Sequence, residues 1–98
     1  MEGLEEHFEV LAIEVEKIKK MPYSRLSQFM GAANSSIYDV KSKKGMEFEI
    51  NIESIWLDSP GGDIRVNIAV FDKEWQSLVP VMDNFIKTPD GRIIEEEP

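Results

Sequence analysis

An α+β domain, with one or two helices on one face of a four- or five-stranded antiparallel sheet, is what three features of this 98-residue chain predict. Apolar residues recur with helical spacing in the first twenty positions, alternate with a period of two from residue 36 onward, and are punctuated there by turn sequences at hairpin distances. Helix first and strands afterwards is the order of an α+β fold, because a parallel sheet would need a helix between successive strands. A chain of this length buries roughly two thirds of the surface its unfolded form exposes, enough for a single core. With 42% hydrophobic and 31% charged residues and no internal repeat or low-complexity linker, residues 1–98 read as one globular domain.

The segment EGLEEHFEVLAIEVEKIKK predicts an amphipathic helix. At 100° per residue, Leu4, Phe8, Leu11, Val15 and Ile18 fall in a stripe about 80° wide, with Glu6, Glu9, Glu16 and Lys20 opposite. Glutamates occupy the first turns and lysines the last, the order the helix dipole favours. Val10 and Ile13 lie off the stripe, as scattered surface apolar residues do. Pro22 ends the helix by biasing Met21 away from helical geometry, and then starts a second short helix carrying Leu26, Phe29 and Met30 up to Gly31.

From residue 36 the period changes. SIYDV is a short strand, residues 42–45 are a turn, and Met46, Phe48, Ile50 and Ile52 then alternate with Glu47, Glu49, Asn51 and Glu53. Ile64, Val66, Ile68 and Val70 repeat the alternation, so DSPGGDIRV joins two strands in a hairpin. Pro60 presets the turn, and Gly61 and Gly62 supply left-handed backbone. A phosphate-cradling glycine loop would lead into a helix, and this one leads into a strand. Asp58 and Asp63 fall short of the six or so oxygens that calcium takes. Trp75, Leu78 and Val79 make one helical turn before Pro80. The turn TPDG then joins Phe85 and Ile86 to Ile93 and Ile94 in a C-terminal hairpin, ahead of an acidic EEEP tail. The even-numbered strand residues, with Trp56 among them, are expected to meet the helix stripe.

No catalytic constellation emerges. The sole histidine, His7, sits one position off the apolar stripe on a solvated first turn and reads as a boundary residue, and the chain carries no GxSxG, HExxH, Walker or kinase signature. The absence of cysteine removes disulfides, thiolate metal sites and a thiol nucleophile. No cofactor or metal is therefore assigned, and the balance is against an enzyme. No secretory leader or membrane-length apolar run is present, so a cytoplasmic location is expected.

The net charge of −8 disfavours nucleic acid as a ligand. Five of the acids and no base fall within residues 46–63, whereas residues 21–45 carry four bases against one acid. Glu47, Glu49 and Glu53 share one sheet face with Arg65, and Ile55, Leu57 and Phe71 add apolar side chains to that face. Something is expected to cover them: the C-terminal hairpin, a second copy in a homodimer, or a partner. The row predicts an interaction module of the inhibitor or immunity type that binds a basic protein through Glu47, Glu49, Glu53, Ile55, Leu57 and Arg65. The alternative is a small-molecule binding protein or minor enzyme with a carboxylate pocket on the sheet.

Overall fold

A computed structural model describes residues 5–73 and 80–95. Helix α1 (Glu5–Lys19) is followed by a single helical turn, α2 (Tyr23–Leu26), which tightens into 3-10 geometry over Ser27–Phe29; a second 3-10 turn covers Ala32–Asn34. The strands are β1 (Ser36–Lys41), β2 (Glu47–Trp56), β3 (Ile64–Asp72), β4 (Val81–Lys87) and β5 (Ile93–Ile94), ordered β1-β2-β3-β4-β5 in one open antiparallel sheet. The expected α+β architecture is present, a five-stranded meander with helices on one face. Leu4, the helical turn at Trp75, Leu78 and Val79, and the EEEP tail beyond Glu95 fall outside the described residues.

The two-residue period sorts the sheet into a dry face and an outer one. Phe48, Ile50 and Ile52 of β2 and Ile64, Val66, Ile68 and Val70 of β3 are all fully buried beneath the helices. In β4 the parity inverts, because Ile68 pairs with Asp83 and Val66 with Phe85, so odd-numbered Val81 and Phe85 join the core and even-numbered Met82, Asn84 and Ile86 turn outward. Trp56, at the end of β2, is half-buried against the core instead of lying within it.

Helix α1 departs from its expected orientation. Its buried residues are His7, Val10, Leu11, Glu14, Val15 and Ile18, a set rolled by about 50° from the stripe that apolar spacing alone defines. Phe8, expected inside, is 55% exposed, while His7, expected at the boundary, and Val10, expected off the stripe, are each 4% exposed. Polar contacts account for the roll. His7 Nε2 lies 3.4 Å from Asp72 Oδ2, with the ring edge against Phe48 at 4.9 Å. Two turns further on, Glu14 accepts a 2.6 Å hydrogen bond from the Tyr38 hydroxyl. The buried Glu14 carboxylate needs such a partner, and its bond to Tyr38 helps to offset leaving one phenyl ring in water, whereas His7 is held by ring packing on Phe48 near Asp72, with neither ring nitrogen hydrogen-bonded among the described residues.

Two more bonds tie the layers together. Lys87 Nζ donates to the Lys19 carbonyl at 2.9 Å, placing a cation at the negative end of the α1 dipole. Ser54 Oγ, fully buried on β2, donates to the Leu26 carbonyl at 2.8 Å and fixes the short α2 turn above the sheet. The helical spacing of Leu26 and Phe29 was correct for one turn; afterwards Gly31, at φ 75°, and a parallel bridge between Met30 and Ser54 take the chain into extended backbone.

In the DSPGGDIRV turn Gly61 has φ 89°, as expected, but Gly62 does not adopt positive φ. Gly62 sits in a tight spot instead, since a Cβ there would stand 3.2 Å from the Ser59 carbonyl oxygen and the turn would have to give by a few tenths of an ångström. The TPDG turn has the expected form: Gly91 at φ 94° donates to the Thr88 carbonyl, and Thr88 N–H donates to Arg92 at 2.9 Å.

The roll of α1 makes a direct prediction for two phenylalanines. Phe85→Ala, at a fully buried site, should lower unfolding free energy by about 3–5 kcal/mol, whereas Phe8→Ala should change it by about 0.5 kcal/mol or less. Urea denaturation of the two variants measures both, and a large loss from Phe8→Ala would refute this orientation of the helix.

Candidate functional site

The outer face of the sheet carries every residue singled out from sequence. Glu47, Glu49, Glu53 and Ile55 follow one another along β2, and Arg65 stands directly across from Ile55 and diagonal to Glu53. Leu57 continues the line beyond the strand, 39% exposed, with its N–H donating to the Asp63 carbonyl at 3.1 Å. The structure therefore brings the six together on one surface, and the register adds neighbours that alternation within single strands does not reveal.

Read across the strands, that surface is a set of rows. Lys41 stands opposite Glu47; Asp39, Glu49 and Phe71 form the next row; Ile37, Asn51, Ala69 and Met82 the third; Glu53, Asn67 and Asn84 the fourth; Ile55, Arg65, Ile86 and Ile94 the fifth. Lys73 Nζ reaches Asp39 Oδ2 at 2.8 Å. Four carboxylates, Asp39, Glu47, Glu49 and Glu53, are thus interleaved with three cations, Lys41, Arg65 and Lys73. The strongly acidic strip expected from residues 46–63 is diluted here to a single excess negative charge, since Asp58 and Asp63 belong to the hairpin end.

The apolar rows are more pronounced than expected. Ile37 is 58%, Met82 61% and Ile94 44% exposed, and Ile55, Phe71 and Ile86 are half-buried only by their neighbours within the sheet. Among the described residues no second layer lies over them. The C-terminal hairpin, one of the expected covers, instead extends the sheet sideways, with β4 beside β3 and β5 beside β4. Met82, Ile86 and Ile94 escaped the sequence reading because their membership depends on the parity change between β3 and β4.

Chemistry of other kinds finds little to work with. Among the described residues, no three His, Asp or Glu side chains converge as metal ligands. A groove of about 150 Å³ lies on the helix side of the sheet, between α1 and the end of β1, and includes none of Glu47, Glu49 and Glu53. At its floor the Glu14 carboxylate, only 6% exposed, accepts from Tyr38 and, at 3.2 Å, from Lys17. Burial, and then the bond to Glu14, push the Tyr38 hydroxyl well above the usual tyrosine range. The tyrosine there is a donor locked onto a carboxylate, which does not make it a general base.

Comparison with known proteins finds no family model that matches the chain and no curated relative or solved structure similar to it.

The Tyr38 environment predicts an alkaline limit on stability. The folded state holds the phenolic proton more tightly than the unfolded chain, so the contribution is complete below about pH 10 and is lost as pH rises beyond it. Wild-type protein should lose unfolding free energy more steeply between about pH 10 and 11.5 than Tyr38→Phe. Chemical denaturation across that range compares the slopes, and identical slopes would contradict the arrangement.

Proposed function

We propose that this chain is a small interaction module that docks a protein partner on the outer face of its sheet. The observation that carries the reading is a five-stranded sheet with helices on one side and, among the described residues, exposed Ile37, Met82 and Ile94 on the other. Strands of six, ten, nine, seven and two residues, rising about 3.4 Å per residue and about 4.8 Å apart, present roughly 550 Å², about two thirds of the ~800 Å² per partner of a standard interface. Rows of apolar side chains separated by Asn and Glu call for a partner whose own apolar residues enter the Ile37 and Ile55 rows. Glu49 and Glu53 between them favour lysines or arginines on that partner, as does the overall charge of −8. An inhibitor or immunity role, in which this face shields a basic protein, is consistent with that chemistry.

A carboxylate pocket for a small molecule receives less support, because the groove lies away from the three glutamates. The test is affinity capture from the native host at low and high salt, with Met82→Asp and a Glu49→Gln, Glu53→Gln double variant as controls. A basic protein retained by wild type, weakened about tenfold or more by Met82→Asp, and made less salt-sensitive by the double variant would support the reading. A partner held equally by all three chains would place its site elsewhere. Sedimentation showing a dimer that Met82→Asp dissociates would assign the face to a second copy.

A further inference from the structure

The open sheet ends in two edge strands, β1 and β5, and of these β1 is the longer. In an antiparallel pair, alternate residues aim their N–H and C=O at the neighbouring strand and the rest aim them away. The Ser42 N–H donates to the Met46 carbonyl at 2.8 Å, which sets the phase for β1 against β2. Val40 opposite Phe48, Tyr38 opposite Ile50 and Ser36 opposite Ile52 are then the hydrogen-bonded pairs. Ile37, Asp39 and Lys41 consequently turn their backbone donors and acceptors outward, and no described strand lies beyond them. On the far side of β2 the Lys73 N–H donates to the Glu47 carbonyl at 3.1 Å, which agrees with this phase.

The groove beside α1 lies along the C-terminal end of that edge. Val10, Ile13 and Val40 supply apolar wall, Ile13 being 47% exposed. Its volume, about 150 Å³, matches a cavity that takes a benzene ring and is room for one apolar side chain. Lys17, Lys41 and Lys43 stand around it with Glu9 and Glu14. Glu14 already accepts from Tyr38 and Lys17, which leaves Lys43, and Lys41 with Glu47 across the strand pair, beside the remaining groove carboxylate, Glu9. The run Lys41, Lys43 and Lys44 makes this turn the most lysine-rich part of β1 and its flank on a chain of net charge −8.

We propose that the β1 edge and this groove together receive an extended segment of a partner protein, an apolar side chain flanked by acidic ones, as a sixth strand. The main chain of the segment would pair with Ile37, Asp39 and Lys41, which gives affinity independent of sequence. Side chains of an added strand alternate between faces, so one apolar side chain enters the groove against Val10, Ile13 and Val40. Acidic neighbours then meet Lys41 and Lys43. Lysines on an edge strand also guard it against pairing with other copies, so the charge that deters self-association is the charge an acidic segment neutralises. The segment pairs with the β1 backbone and enters the helix-side groove, whereas the outer-face reading uses the side chains of Ile37, Asp39 and Lys41, so the two surfaces adjoin at β1.

A display library of unstructured octapeptides tests the proposal. Enriched sequences should alternate acidic with β-branched residues, and a Lys41→Glu, Lys43→Glu double variant should bind the best of them about tenfold or more weakly. Amide hydrogen exchange at Ile37, Asp39 and Lys41 should slow on binding, and Met82→Asp on the outer face should leave the affinity unchanged. No enrichment, enrichment of basic peptides, or protection appearing at Ile55 and Met82 in place of the edge would overturn it. Protection of the edge amides that rises with protein concentration and without peptide would likewise overturn it, in favour of a second copy.

Discussion

One helix about 10 Å across rests on a sheet of five strands about 24 Å wide, and the rest of the structure follows from that mismatch. A helix can bury two or three strands. Here α1 lies toward β3 and β4, with His7 near Asp72 at its N-terminal end and Lys87 bonded to the Lys19 carbonyl at its C-terminal end. The short α2 turn roofs the far end of β2 through Leu26, Phe29 and the Ser54 bond. Over the helix side of β1 the cover is thinner: α1 reaches Tyr38 through the Glu14 bond, but Tyr38 and Val40 stay half-buried and a groove opens beside them. The outer face has no helix at all among the described residues.

The polar contacts across the two layers do more than fill gaps in an apolar core. Each joins residues far apart in the chain: His7 with Asp72, Glu14 with Tyr38, Lys87 with the end of α1, Ser54 with α2. An apolar stripe packs acceptably over a range of rotations, because hydrophobic burial has no direction. A buried carboxylate or imidazole narrows that range, since a rotation that separates it from its partner leaves a polar group dry and unpaired. The roll of α1 is the visible result. Phe8 stands in water so that His7 and Glu14 can be placed.

The same division between non-directional and directional forces sorts the surfaces. On the outer face, apolar rows and mixed charges offer area and modest electrostatic bias, suited to a folded partner. At the β1 edge the exposed groups are backbone donors and acceptors with fixed spacing, and the groove adds one apolar site beneath lysines. An extended segment matches that geometry, whereas a globular surface does not.

Periodicity in the sequence was sufficient for the order of elements, the hairpins and the division of β2 and β3 into dry and outer faces, because the pleat alternates residue by residue whatever surrounds it. It also collected Glu47, Glu49, Glu53, Ile55, Leu57 and Arg65 onto one surface. It did not reveal that Lys41 and Lys73 temper those glutamates, that Met82 and Ile94 enlarge the apolar rows, or that Gly62 sits in a tight spot near Ser59. Those depend on which strand lies beside which, and at what register, and no single strand carries that information. The burial of His7, Glu14 and Asp72 and the exposure of Phe8 depend on it too. A polar side chain declares its place only once the partner it needs has been brought to it, and for Glu14, Ser54 and Lys87 a partner arrives from a distant part of the chain.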